Sequence, residues 1–284
     1  KYGWSPLFYL FDQELHHNHI PESFKKMFLL MLDSGADINL KNKQGTTILH
    51  HCCHVDLYKE KIKLLLENDA DPNINDKHGR ILAHYLVDYC SDDYDLFIFA
   101  LEKGMDINRK DSCGNSALNS YCCNNNYVGN DLLYFLLENG ADPNLEDYHG
   151  RTSLHNICRC YPDNQCIQIL IDYGVKQYSC GAYLNKRSNC NYTPLHYLFW
   201  KHYDGVELND QMYLLIESGA DLNLIFENND ETICMKKHNI ARDLYDKNIA
   251  LKYIGELMKI IQLNIGLIDD VLRIICSYIY NKKF

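Results

Sequence analysis

The stretch that decides the fold is Gly140-Ala141-Asp142-Pro143-Asn144-Leu145-Glu146-Asp147-Tyr148-His149-Gly150-Arg151-Thr152-Ser153-Leu154-His155. Its first glycine can adopt the left-handed conformation that ends a helix. A polar segment closed by a second glycine follows, which is typical of a tight turn. Thr152 is a favoured residue for the start of a new helix. The stretch therefore predicts a junction between two helices.

The first phrase of this stretch, Gly-Ala-Asp-Pro-Asn, recurs along the chain. Its closing asparagines are 34, 35 and 36 residues apart, and the last interval is 79, or about two units. A degraded copy stands within that interval at Tyr173-Gly174-Val175-Lys176. The other copies are Gly35-Ala36-Asp37-Ile38-Asn39, Asp69-Ala70-Asp71-Pro72-Asn73, Gly104-Met105-Asp106-Ile107-Asn108 and Gly219-Ala220-Asp221-Leu222-Asn223. Their aspartates are expected to form turns by accepting local backbone N–H groups.

The second phrase, Gly-Arg-Thr-Ser-Leu-His, recurs in register with the first. Copies stand at Gly45-Thr46-Thr47-Ile48-Leu49-His50, Gly79-Arg80-Ile81-Leu82-Ala83-His84, Gly114-Asn115-Ser116-Ala117-Leu118-Asn119 and Asn191-Tyr192-Thr193-Pro194-Leu195-His196, and Gly3-Trp4-Ser5-Pro6-Leu7-Phe8 begins the series. The unit is thus helix, loop, helix, turn. One such unit cannot bury its apolar faces alone and must stack on its neighbours.

The two phrases resemble the Gly-Ala-Asp-x-Asn and Thr-Pro-Leu-His motifs of ankyrin repeats. The resemblance implies an all-α ankyrin-repeat solenoid of about six to seven repeats. Residues 1–224 would hold six repeats, and residues 225–263 a degenerate seventh repeat with capping helices. The recurring histidines would be structural and brace the turn by hydrogen bonds.

Extra residues lie mostly between the two helices of a unit, as in Asn124–Asp131 and Lys201–Asp210. These insertions and the 22 tyrosines resemble the ankyrin proteins of poxviruses. That resemblance implies a host-range or immune-evasion function in the cytoplasm of a host cell.

The C-terminal residues 264–284 resemble the first helix of an F-box, as found in shortened form at the end of poxvirus ankyrin proteins. The resemblance implies binding to the Skp-family adaptor of a cullin-1 ubiquitin ligase. The contact residues would be Leu267, Asp270, Val271, Ile274, Ile275, Tyr278 and Ile279. An alternative is an amphipathic helix that only caps the solenoid, so that the protein is a plain inhibitor that sequesters a host factor.

Exposed residues at the turn tips are the candidates for binding a host protein. In ankyrin folds these tips and the first helices line the concave surface. The predicted partner-binding residues are Lys43, Gln44, Lys77, His78, Ser112, Tyr148 and His149, with Cys113 beside them.

Composition argues against other classes of partner. The net charge of −10 does not favour nucleic acid, because phosphate binding usually needs a basic surface. The sequence contains no run of about 18 apolar residues, so no membrane span is predicted. An odd number of cysteines, 13, indicates reduced thiols in a cytoplasmic protein rather than a disulfide framework.

The segment His50-His51-Cys52-Cys53-His54 holds residue types that bind zinc. In register, however, His50 is the motif histidine, and the two cysteines occupy small-residue positions on the buried face of a helix. Cys122-Cys123 and Cys158-Arg159-Cys160 are interpreted in the same way. We therefore expect no metal, no cofactor and no catalytic residue, and a cysteine–histidine nucleophile remains a distant alternative.

Overall fold

A computed structural model describes residues 3–13, 19–55, 58–124, 130–177, 183–203, 209–221 and 224. Across these ranges the chain forms twelve α-helices and no β-strand. The helices are α1 (Pro6–Phe11), α2 (Glu22–Asp33), α3 (Ile48–Cys52), α4 (Tyr58–Glu67), α5 (Leu82–Tyr89), α6 (Tyr94–Glu102), α7 (Ala117–Cys123), α8 (Asp131–Glu138), α9 (Ser153–Cys160), α10 (Asn164–Gln177), α11 (Pro194–Tyr203) and α12 (Asn209–Glu217). The predicted seventh repeat, residues 225–263, and the predicted F-box-like segment, residues 264–284, lie outside the described residues.

The helices stack in two rows. The first helices of the units contact one another in the order α1, α3, α5, α7, α9 and α11. Among the second helices, α4 contacts α6, and α10 contacts both α8 and α12. This arrangement confirms the predicted all-α solenoid of helix pairs.

The helix boundaries fall where the phrases predict them. Thr47 precedes α3 and Thr152 precedes α9, both in the extended conformation of an N-cap. Pro6 and Pro194 are the first residues of α1 and α11, where a missing N–H costs nothing. Gly104 follows the end of α6 with φ +86°, a conformation that glycine adopts without strain.

One continuous apolar core runs between the two rows of helices. The motif leucines belong to it, and Leu49, Leu118, Leu154 and Leu195 are each at most 2% exposed. The other residues of this core come from every described unit. Core stability is therefore shared between adjacent units, as expected for a repeat protein.

The closing asparagines connect each unit to the next. Asn39, Asn73 and Asn108 each accept a hydrogen bond at their side-chain oxygen from the backbone N–H of the aspartate one unit later, at 2.7–2.9 Å. Those aspartates in turn accept the N–H of the residue two positions on, as in Asn108 N to Asp106 Oδ1 at 3.0 Å. The turn-forming role predicted for the aspartates is confirmed.

The fifth unit departs from the sequence interpretation. Gly174 does not end a helix, because α10 continues through it to Gln177. A Cβ at Gly174 would meet the Tyr183 ring at 2.5 Å, so this glycine serves close packing inside the unit. The connecting asparagine is Asn185, whose Oδ1 accepts the N–H of Asp221 at 2.7 Å. The prediction of a degraded copy of the phrase at residues 173–176 is therefore wrong, because these residues lie within α10.

The motif histidines His50, His84, His155 and His196 brace the start of α3, α5, α9 and α11, as predicted. His155 Nδ1 accepts the backbone N–H of Thr152 at 3.2 Å and contacts its hydroxyl at 2.8 Å. His155 Nε2 lies 3.0 Å from the carbonyl oxygen of Lys186 in the next unit. Burial lowers the pKa of His155 to about 4. The ring is therefore neutral at pH 7 and joins two units by hydrogen bonds.

Candidate functional site

Each turn tip is held by one polar side chain. The Asp76 carboxylate accepts the backbone N–H groups of His78 and Arg80 at 2.7 and 2.9 Å, and a hydrogen bond from the Tyr85 hydroxyl at 2.9 Å. Burial opposes the charge, but these hydrogen bonds lower the pKa of Asp76 below its ordinary value. The carboxylate is therefore ionised at pH 7 and fixes the backbone of the tip.

Neighbouring tips are joined by backbone hydrogen bonds. Ser112 N donates to His78 O at 2.8 Å, and Tyr148 N donates to Cys113 O at 3.1 Å. The same pattern continues where Asn189 N donates to His149 O at 2.8 Å. We call this continuous row of tips, residues 77–78, 112–113, 148–149 and 189–190, together with the preceding tip at 43–44, the tip ribbon.

A glycine at four of the five tips permits this close approach, and Asn191 with φ +66° takes that position at the last tip. Gly114 has φ +81°, and a Cβ there would lie 2.6 Å from the backbone nitrogen of Tyr148. Both the backbone conformation and the lack of a side chain are thus required at this position. The neighbouring tip can then reach the carbonyl of Cys113.

The seven predicted partner-binding residues all lie on the tip ribbon and are all exposed. Tyr148 is 67% exposed, which is unusually high for an aromatic side chain. Lysines occupy the N-terminal tips, at Lys43 and Lys77, and the aromatic and imidazole groups of Tyr148 and His149 occupy a later one. The structure brings these side chains into one row on an ordered backbone.

The first helices add residues that the sequence interpretation missed. Arg80 forms an ion pair with Asp88, and its guanidinium lies 4.7 Å from the centre of the Tyr85 ring. The His54 ring packs against the Tyr89 ring at a centroid distance of 4.0 Å, and Tyr89 is 51% exposed. The sequence could have indicated both residues by their positions in the repeat. Arg80 directly follows the tip glycine, and Tyr89 stands five residues after the motif histidine.

The side chains of the His50–His54 segment diverge. His50 accepts from Thr47 N at 3.1 Å, His51 contacts the Asp12 carboxylate at 2.9 Å, and His54 makes an edge-to-face contact with Tyr89. Cys52 and Cys53 are buried in the core, as predicted. In the part of the chain that the structure describes, no three His, Cys, Asp or Glu side chains converge as metal ligands would.

Two other cysteines correct the sequence interpretation. Cys122 and Cys158 are core residues, but Cys123 and Cys160 are only half-buried. These two cysteines are the last residues of α7 and α9, and they lie beyond the buried residues of each helix. They are therefore partly exposed residues rather than members of the buried core.

An open groove of about 400 Å³ lies on the second-helix side, between α10 and α12. Its lining is amide, acidic and apolar: Asn164, Gln165, Gln168, Asp210, Tyr213, Leu214 and Glu217. No nucleophile–base pair is among these residues. The groove therefore offers a mixed surface that is mainly apolar.

A protein-family model described as "Ankyrin repeats (3 copies)" matches residues 17–111 and 118–225. These matches cover most of the chain, which belongs to the ankyrin-repeat family. Ankyrin repeats are protein-binding scaffolds and are generally not enzymes. No curated protein matches the chain. Within the described ranges, no helix has the length and apolar character needed to cross a bilayer.

Proposed function

We propose that this ankyrin scaffold captures a host protein on its tip ribbon and links it to a cullin-1 ubiquitin ligase, as a viral substrate adaptor that counters host defence. The observation that carries the capture step is the tip ribbon itself. Its exposed side chains project from backbone that is hydrogen-bonded within each tip and, from the tip at 77–78 onward, between neighbouring tips.

Such order matters for affinity because binding costs the conformational freedom of the groups that form the interface. The backbone of the tip ribbon is already ordered in the folded protein, so a partner need not order it on binding. Tyr148 and His149 offer the type of side chain that dominates protein interfaces, a rigid ring with a polar group. Arg80 and Tyr89 extend the same surface onto α5. A folded or extended protein segment is the partner that fits such a shallow, elongated surface.

The delivery step rests on the resemblance of residues 267–279 to the first helix of an F-box. The spacing of Leu267, Val271, Ile275 and Tyr278 places the four side chains on one stripe if the segment is helical. That stripe would be the contact with a Skp-family adaptor. The resemblance of the repeats to poxvirus ankyrin proteins supports the same assignment. The plain inhibitor, whose C-terminal segment caps the solenoid, is the alternative.

Affinity purification of the full chain from transfected cells, followed by mass spectrometry, tests both steps at once. The variant Tyr148→Ala/His149→Ala should lose the captured protein and keep the Skp adaptor and cullin-1. Tyr134→Ala is the matched control, because Tyr134 is 47% exposed on α8 and lies outside the tip ribbon. Equal recovery of the captured protein with both variants would contradict capture by the tip ribbon.

The variant Val271→Asp/Ile275→Asp separates the adaptor from the inhibitor. The adaptor proposal expects loss of the Skp adaptor and cullin-1 with unchanged recovery of the captured protein. A folded double variant that still recovers the adaptor rejects the ligase link. A double variant that melts at lower temperature and also loses the captured protein supports the cap.

A further inference from the structure

Two half-buried thiols meet across the junction of the fourth and fifth units. Cys123 is the last residue of α7 and Cys160 is the last residue of α9, and these two helices pack against each other. The two side chains lie close enough for each thiol to shift the pKa of the other. Both cysteines are free thiols. The preceding core cysteines, Cys122 and Cys158, are fully buried.

Cations surround this thiol pair. Arg159 Nη2 lies 3.8 Å from Cys123 Sγ, and Lys201 Nζ donates a hydrogen bond to the carbonyl oxygen of Cys160. Arg159 forms no ion pair with a carboxylate in the described part of the chain. The charge of its guanidinium is therefore available to the neighbouring sulfur atoms.

The surroundings favour a thiolate at Cys160. The neighbouring Cys123 thiol and the charges of Arg159, Lys201 and Arg151 lower the pKa of the Cys160 thiol to about 6, although burial opposes them. Cys160 in turn raises the pKa of Cys123, which keeps its proton. A thiolate is the nucleophilic form of cysteine, and a second thiol in contact with it can resolve a mixed disulfide.

A second thiol pair in the same protein provides an internal comparison. Cys53 and Cys90 also belong to neighbouring units and also lie close together. They are only 5% and 2% exposed, and burial raises the pKa of Cys53 well above its ordinary value. Proximity of two thiols is thus common to both pairs, whereas partial exposure belongs to Cys123 and Cys160 alone.

We propose that Cys123 and Cys160 form a thiol-modification site that reacts with low-molecular-weight disulfides and closes to a disulfide between the fourth and fifth units. The Cys160 thiolate attacks one sulfur of the small disulfide, forms a mixed disulfide and releases one small thiolate. Cys123 then gives up its proton and attacks Cys160 Sγ, which releases the second small thiolate. Two electrons pass from the two protein sulfur atoms to the small disulfide. One small thiolate takes the proton of Cys123, and the other takes a proton from water. The product covalently joins α7 to α9.

Oxidised glutathione is the probe, and the test uses the full chain with five other cysteines changed to serine. These are the exposed Cys113 and Cys190, together with Cys180, Cys234 and Cys276, which lie outside the described residues. In this background, intact-mass measurement should show loss of two hydrogens and no retained glutathione. Peptide mapping should then link the peptide of Cys123 to that of Cys160. The Cys53–Cys90 pair should remain reduced while the protein is folded.

Single substitutions make the proposal falsifiable step by step. Cys123→Ser should stop the reaction at one glutathione bound to Cys160, and Cys160→Ser should slow the first step at least about tenfold, as expected when the reactive thiolate is removed. Circular dichroism confirms that each variant is folded. Retained glutathione with both cysteines present would overturn the proposal, as would equal reactivity of Cys53 and Cys160 towards the alkylating probe iodoacetamide at pH 7.

Discussion

The side-chain oxygen of Asn73 accepts the backbone N–H of Asp106 at 2.7 Å, while its side-chain nitrogen donates to the carbonyl oxygen of Gly104 at 2.8 Å. One amide group therefore pairs two backbone groups at the end of the following unit. The last carbonyls of a helix have no partner within the helix, so such pairing stabilises the junction. Asn108 repeats both bonds with Asp142 and Gly140.

Asn73→Ala should lower the free energy of unfolding by about 1–3 kcal/mol, because it removes two hydrogen bonds worth about 0.5–1.5 kcal/mol each. Asn144→Ala is the matched control. Asn144 holds the same motif position, but its buried Nδ2 has no hydrogen-bond partner among the described residues. Urea unfolding followed by circular dichroism measures both, and equal losses would show that the bonds between units contribute nothing.

Gly114→Ala should destabilise the protein more than Gly104→Ala. Both glycines have positive φ, +81° and +86°, so alanine pays the same backbone strain of about 1–2 kcal/mol at either position. A Cβ at Gly114 would also stand 2.6 Å from Tyr148 N, whereas a Cβ at Gly104 meets nothing within 4 Å. The difference in the free energy of unfolding isolates the contact between tips. Identical urea midpoints for the two variants would contradict tip packing of this kind.

The register of the two phrases was enough to predict the helices, their order and the exposed tips. Each phrase marks a local event, a helix end or a helix start, and local events can be inferred from a single residue type such as Gly104 or Thr152. The tip residues follow from the same register, because Tyr148 and His149 directly precede the tip glycine. The sequence therefore predicted most of the fold and the row of exposed residues.

Contacts between units that do not share a register could not be predicted in this way. Asn185 takes the connecting role in the fifth unit only because α10 continues to Gln177, and the sequence offers Gly174 as a false helix end. Cys123 and Cys160 do not occupy the same position in their repeats: Cys123 stands four residues after Asn119, whereas Cys160 stands five residues after His155. They come together because α7 and α9 pack side by side. Three-dimensional packing, rather than local propensity, decides both features.

Leu49→Ala should reduce the free energy of unfolding by about 2–5 kcal/mol, the usual cost of truncating a buried leucine. Leu49 is 2% exposed at the start of α3, within the core shared by neighbouring units. Leu40→Ala is the control, because Leu40 is 47% exposed, and its effect should stay within about 0.5 kcal/mol. Thermal unfolding of the two variants beside the parent distinguishes them. Similar melting temperatures would place Leu49 outside the core.

The buried histidines should make the protein sensitive to acid. Burial lowers the pKa of His50, His155 and His196 from 6.5 to about 4 in the folded protein. Between these pH values the unfolded chain binds protons that the folded chain does not. Stability is therefore full above pH 6.5 and falls as the pH drops towards 4, by about 3 kcal/mol for each such histidine.

The fourth unit supplies the control, because Asn119 stands at the position that the motif histidine occupies in the second, third, fifth and sixth units. Asn119 N donates to Ser116 Oγ at 3.2 Å, and its side chain donates to Leu145 O at 3.0 Å, so an amide can form such bonds without titrating. His155→Asn should therefore lose less stability than the parent between pH 6.5 and pH 4, by roughly the 3 kcal/mol of one histidine. Urea midpoints of the parent and of His155→Asn, measured at both pH values, give the two losses of stability. The carboxylates are the same in both proteins, so their titration cancels when the losses are subtracted. If the parent and His155→Asn lost equal stability over this range, His155 would not be the neutral, buried group that its hydrogen bonds to Thr152 and Lys186 imply.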